Sequence, residues 1–281
     1  MGAAPDAPWH LRQARAAQSE ERVADGLWHL LRADDLEAAL RLLHRHAVQA
    51  AAQEQVDAMV ARWELSRPEP ALRLEFALAM AAVWRHRRDL HKESELLQRA
   101  LRLAGELNQP LLFGRVYAAH GRLYELRDPD RSFACYDDSV AYLQQAMSTT
   151  DEDARHAART EYARVLIHLA WLHLRRNDPK AEPLLLQVGE LASERPLPED
   201  VAGELEQVRG EYWRCNNDLR KALEHKQRAL NLFERLGDRR STLLTYNNLS
   251  LIYGETRQFE RAMHYGQRVI AEAQKIGRAH V

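Results

Sequence analysis

From Thr245 to Gly277 the apolar positions recur at helical spacing on two successive stretches separated by a short polar turn. Tyr246, Leu249 and Tyr253 share one face of the first stretch. Ala262 and Val269, two helical turns apart, share one face of the second. The same pattern stands upstream in RGEYWRCNNDLRKALEHKQRAL. There Trp213 aligns with Tyr253, Ala222 with Ala262 and Ala229 with Val269, each 40 residues apart. Self-similarity at a fixed period marks a repeat architecture, in which each helix pair leaves an apolar face that only its neighbours cover.

Further upstream the period continues less regularly. A first helical pair is expected from Glu20, with Asp34 and Asp35 placed to cap its second helix, because a carboxylate accepts hydrogen bonds from the orphan amides there. Residues 1–19 read as a tail or a marginal helix. Gln53–Glu64 reads as an extra helix outside the repeat, closed by Pro68 and Pro70. The unit from Ala71 to Leu107 has Trp84 and Ala100 at the repeat positions, while Glu93 stands where a small residue is expected and implies looser packing. From Pro110, Gly121 and Tyr124 follow Ala81 and Trp84 by 40 residues, and Ser132 and Ser139 take the later small positions. A polar link over 148–159, with Thr150 at a helix start, leads to a divergent unit carrying Ala170, Ala181 and Val188. Prolines fall between helices, except Pro183, which fits a first helical turn. The expected architecture is all-α: one solenoid of antiparallel helix pairs over 20–277, with about five repeat pairs after the atypical N-terminal pair and extra helix.

Tyr246, Leu249, Ser250, Tyr253, Ala262 and Val269 stand at the signature positions of the tetratricopeptide repeat, which this segment resembles. That resemblance implies a right-handed superhelix. The family's unit is about 34 residues, so the 40-residue period resembles its long-helix variants.

Composition narrows the function classes. The 12 glycines and 10 prolines among 281 residues suit a helical chain, and 46% apolar residues suffice for a sizeable core. A net charge of −1, from 40 basic and 41 acidic residues, gives no global field toward nucleic acid or anionic lipid. Cys135 and Cys215, two repeat periods apart inside helices, argue against a disulfide framework and for a reducing compartment. With no membrane-length apolar run and no hydrophobic signal core, a cytoplasmic placement is expected. The last six residues, IGRAHV, match one reading frame of a sequencing-library adapter. Residues 278–281, extending back to 276, are therefore expected to be foreign, with the native frame continuing beyond them.

No catalytic or cofactor motif emerges. GDRRST at Gly237 lacks the lysine and strand of a phosphate loop. No two histidines stand three or four residues apart, so none share a helix face for a metal. Glu20–Glu21 and Asp151–Asp153 read as helix-start charges. No cofactor, metal or catalytic residue is assigned.

The remaining candidate is the groove. The resemblance implies that the first helix of each pair lines a concave face, and its inward positions carry over to Glu75, Arg85, Arg115, Arg122, Glu125, Arg164, Trp171, Arg175, Glu204, Glu211, Arg214, Asn247 and Glu255. Arg115, Arg122, Arg164 and Arg175 fit a bidentate hold on an acidic peptide or small anion. The alternative is that these arginines neutralise neighbouring glutamates on a solvated face. The lysine and asparagine pattern of the family's carboxylate clamp is absent, and that activity is not assigned.

A second resemblance covers Val23 to Leu101. Its helical pair, the ALRLLHRHA stretch and the Arg62–Trp63 helix look like the entry to the sensor domain of large bacterial signal-transduction ATPase regulators of the LuxR/maltose-regulator type. It implies an arm that binds an inducer or partner and controls ATPase and DNA-binding domains absent from this chain. The expected function is a non-catalytic interaction module for a protein or peptide. The alternatives are a small-molecule sensor in a transcription regulator, or an enzyme whose residues converge only in the fold.

Overall fold

The computed structural model describes residues 7–19, 22–51, 53, 55–64 and 68–278. Among them the chain forms fifteen α-helices and no strand. Residues 1–6 of the expected N-terminal tail, Glu20, and residues 279–281 of the suspected foreign tail lie outside the described residues. The contacts divide the chain into two compact units, 1–123 and 124–281. Each is described by itself.

In the first unit α1 (Ala7–Ser19) packs on α2 (Val23–Arg32), which pairs with α3 (Leu36–Arg45). Asp35 caps α3, accepting from the Ala38 amide at 3.1 Å, while Asp34 takes a left-handed conformation (φ 59°). Two short helices follow, α4 (Ala47–Ala51) and α5 (Gln55–Glu64). Arg87 ties them to the next pair: its guanidinium donates to the carbonyls of Ala51 (2.8 Å), Ala50 and Gln53 and pairs with Asp57. It thereby satisfies carbonyls that the end of α4 leaves without helical partners. The extra helix joins the core through Val56, Val60 and Trp63, whose ring lies 4.1 Å from that of Phe76. Next come α6 (Pro70–His86), α7 (Leu90–Leu107) and α8 (Pro110–Tyr124).

The second unit contains α9 (Pro129–Met147), α10 (Glu152–Arg175), α11 (Ala181–Glu194), α12 (Glu199–Cys215), α13 (Leu219–Leu236), α14 (Arg239–Glu255) and α15 (Phe259–Arg278). Asp151, one residue beyond the expected Thr150, caps α10, and Pro183 lies in the first turn of α11. This is an all-α helical-repeat fold.

One turn design recurs between the two helices of five pairs. Asp34, Arg88, Asn177, Asn217 and Arg257 all have φ between 52° and 60°. The residue after each donates its amide to a carbonyl five residues back, as Asp89 does to Trp84 (3.2 Å) and Asp218 to Trp213 (2.9 Å). That is the bond with which a left-handed residue closes a helix and satisfies its last carbonyls. Asn177, Asn217 and Arg257 are 40 residues apart, so the period governs the turns as well as the core. Asp35, Asp89, Asp178 and Asp218 follow four of them, and Asp35, Asp89 and Asp218 then cap the next helix. The aromatic that ends the first helix is covered by an early basic residue of the second: Lys92 over Trp84 and Lys221 over Trp213, both at 3.8 Å, and Arg261 over Tyr253.

Glu93 does not loosen its unit. It is 1% exposed and accepts from Arg85 Nε at 2.7 Å, so an ion pair fills the space that a small residue takes elsewhere.

Candidate interaction groove

The groove positions implied by the resemblance lie on the first helices of the pairs, and the structure shows what each touches. In the first unit Arg85 holds Glu93, as above, and Arg115 on α8 pairs with Glu75 on α6, 40 residues earlier. Arg122 is half-buried on α8.

In the second unit Arg164 on α10 is surrounded by carboxylates: Asp200 at 2.8 Å, Glu204 at 3.2 Å and Glu161 at 3.8 Å. Burial alone would lower its pKa, but Glu204, Glu161 and Asp200 outweigh burial and hold it above the ordinary arginine value. Arg214 on α12 is held by Glu211 at 2.7 Å and reaches Glu255 on α14 at 3.5 Å. The hydrogen bonds it donates to Glu211 are the main cause of its raised pKa. Glu75–Arg115 in the first unit, and Arg164–Glu204 and Arg214–Glu255 in the second, each join one first helix to the next, 40 or 41 residues away.

Arg175 differs from these. It is exposed, its guanidinium lies 4.8 Å over the Trp171 ring, and it donates to the Glu125 carbonyl at 3.3 Å. Among the described residues it has no carboxylate partner. Asn247 is exposed on α14. The Glu125 carboxylate is already engaged, accepting from Tyr136 Oη and pairing with His168 Nδ1 at 2.8 Å.

Two features were not anticipated. The first unit has an open pocket of about 310 Å³ between α5, α6 and α7. Val60, Phe76, Met80 and Trp84 give it an apolar wall, and Glu64 and Arg99 a charged rim, paired at 2.9 Å. The second is Lys226 on α13, 1% exposed, whose Nζ donates to the Gln207 carbonyl at 2.7 Å. Its stem crosses Gly210, where a Cβ would come within 2.9 Å of it, so the glycine makes the room. Burial lowers its pKa to about 8, against the pull of Glu211. Below pH 8 the lysine is charged in both states. Between about 8 and 10.5 the unfolded chain keeps a proton that the native one has released, so stability rises with pH. The gain is on the order of 3 kcal/mol across that window. Urea melts at pH 7.5 and 10 should show this rise, and Lys226→Met should flatten it; parallel pH dependences would refute the assignment.

Among the described residues no group of three or more histidine, cysteine or carboxylate side chains is arranged to hold a metal. None of the described helices is long and apolar enough to cross a membrane.

The turn design, the small residues at Gly210, Ala222 and Ala229, and the α12–α15 packing all follow one register, and comparison with known proteins places that register. Residues 210–275 match the tetratricopeptide repeat family. The match covers the repeat pattern around Trp213 and Tyr246–Val269. No curated protein sequence matches the chain. Among solved structures the apo form of RapI is similar in fold, with a TM-score of 0.52 and 12% identity, covering 96% of this chain and 77% of RapI. BtubC (BKLC) from P. vanneervenii is 19% identical over 86% of this chain and 92% of its own, with a TM-score of 0.48. Both likenesses fall at low identity, and RapI's speaks for the helical-repeat fold alone.

Proposed function

We propose that this chain is a non-catalytic tetratricopeptide-type interaction protein that takes a protein or peptide partner on the first-helix face of its second unit. The observation that carries this reading is Arg175. The other arginines of that face, Arg164 and Arg214, are held by carboxylates of the chain itself, whereas Arg175 lies exposed over Trp171 without one. An exposed guanidinium beside an indole face suits a partner carboxylate next to an apolar side chain. This narrows the acidic-partner reading from four arginines to one anchor. Two unbridged cysteines support a reducing, cytoplasmic setting.

The test is fluorescence anisotropy with a labelled glutamate- and leucine-rich peptide and its lysine-containing counterpart. The acidic probe is expected to bind, and Arg175→Glu or Trp171→Ala to weaken it about tenfold, near 1.4 kcal/mol. Arg175 is exposed, so the fold should survive the change. Equal binding of both probes, or none lost with Arg175→Glu, removes the reading.

A second reading is favoured by the pocket in the first unit, which lies within the stretch resembling regulator sensor domains. There a small apolar molecule with an acidic group would lie against Phe76 and Met80 and meet Arg99, as an inducer would in a sensor fragment.

A further inference from the structure

The tripeptide Trp-His-Leu occurs twice in the chain, as Trp9–Leu11 on α1 and Trp28–Leu30 on α2. The fold brings the two copies together. His10 and His29 meet through their Nδ1 atoms at 2.9 Å, and His10 is only 5% exposed. Each indole stands edge-on to both imidazoles. Trp9 lies 5.0 Å from His10 and 5.3 Å from His29, and Trp28 lies 5.4 and 4.7 Å from them. The apolar share of the docking is small. Among the described side chains of α1, Ala14 and Ala17 are buried, beside Gly26 of α2, and Leu11 is partly so. An open pocket of about 310 Å³ lies between Leu11 and Ala14 of α1 and Ala38 and Leu42 of α3.

A hydrogen bond between two imidazole Nδ1 atoms needs one of them to carry hydrogen and the other a bare lone pair. The pair meets that condition with both rings neutral, or with one proton added. With both rings charged, each Nδ1 carries hydrogen and two positive rings face each other 5.2 Å apart. The bond is then lost and a repulsion takes its place. Burial, and then His10, hold the His29 pKa below the ordinary histidine value. Asp25 on α2 pulls it up, but Asp25 is paired with Arg22 at 2.7 Å, and Arg22 pulls it down. Arg32 lies 5.3 Å over the Trp28 ring and already takes that indole as its cation partner. On the α3 side of α1, Arg15, Asp35, Arg41 and His46 line the pocket.

We infer that His10 and His29 form a proton-sensitive latch, which docks α1 on α2 at neutral pH and releases it in mild acid. Release takes Ala14 and Ala17 off Gly26 and opens the pocket, so the flank of α2 that α1 covers is presented only in acid. Docking is fully supported above the ordinary histidine pKa of about 6.5 and weakens as pH falls below it. The undocked histidines take up a second proton that the docked pair refuses. At pH 5, about 1.5 pH units below that value, the refusal costs roughly thirtyfold in the docking equilibrium. The latch lies in the first unit and does not depend on the Arg175 anchor.

Hydrogen exchange of the 281-residue chain tests the inference, read peptide by peptide at pH 7.5 and 5.0 and corrected for the intrinsic pH dependence of exchange. The amides of α1 are expected to lose protection roughly thirtyfold at the lower pH, while those of α6 keep theirs. His10→Asn and His29→Asn should each remove the loss. A carboxamide donates from its nitrogen or accepts at its oxygen without taking charge, so it bonds the remaining imidazole in either state. Equal protection of α1 at the two pH values overturns the inference. So does a loss that both asparagine variants retain, or one that His46→Asn removes instead. An α1 left unprotected at pH 7.5 in both asparagine variants also overturns it, since imidazole packing and not the hydrogen bond would then hold the helix.

Discussion

Arg164→Glu is expected to destabilise the second unit, lowering its melting temperature by roughly 10 °C. Arg164 is only 20% exposed and is the shared partner of Glu161, Asp200 and Glu204. Reversal brings a fourth carboxylate into that cluster, between α10 and α12. One oxygen of Glu204 is already buried without a hydrogen-bond partner, so the site has no spare donor. Breaking a buried charge cluster by removing one partner costs about 3–5 kcal/mol. Asp200 is half exposed and adds little to this. At a few degrees per kcal/mol for a unit of this size, the lower end gives the quoted shift. Arg164→Lys should fall between, since it keeps the charge and loses the fork. A thermal melt showing less than about 1 °C change for Arg164→Glu would place the arginine outside the scaffold and return it to the candidate binding residues.

Gly203→Ala should also destabilise, against the usual sign. Alanine normally gains up to about 1 kcal/mol over glycine within a helix. At Gly203 a Cβ would lie 2.6 Å from Phe233 Cε1 and 3.0 Å from Cζ, and Phe233 is itself buried at 3% exposure. An aromatic ring there has nowhere to move, and overpacking of this kind costs about 1–3 kcal/mol. The net expectation is a loss on the order of 2 kcal/mol, recovered in part by Phe233→Leu in the same chain. Gly105, with nothing within 4 Å, is the control, and Gly105→Ala should stabilise by a few tenths to about 1 kcal/mol. If the two alanines shift the urea midpoint in the same direction, the close approach of α12 and α13 is not what holds Gly203.

The repeat was legible because its signal is apolar and local. Trp213, Ala222 and Ala229 each meet a counterpart 40 residues on, and helical spacing alone puts them on core faces. The turns were less legible because their signal is conformational. Asn177 and Asn217 are residues that enter the left-handed region readily, but Arg88 and Arg257 are not, and nothing in their composition announces the shared geometry. Glu93 was misread because an ionisable residue at a small-residue position signals a defect until its partner is known. Arg85 is eight positions away in sequence and one hydrogen bond away in space. The groove arginines show the same limit. The resemblance implies their inward placement, but which of them is already neutralised depends on a neighbouring helix some 40 residues distant. Only the packed structure separates Arg175 from Arg164 and Arg214.

Within each unit, ion pairs and apolar contacts hold neighbouring helices by forces of opposite temperament. Glu75–Arg115, Arg164–Glu204 and Arg214–Glu255 are all partly exposed, with side chains between 18% and 43% accessible, so dissolved ions screen them. Contacts such as Leu230 with Leu249 lie out of reach of screening, and strongly hydrated salts tighten them. Raising such a salt therefore shifts the load from the open edge of each unit to its spine. Like a ribbon stitched along one side and glued along the other, the unit can change its give along one edge without coming apart.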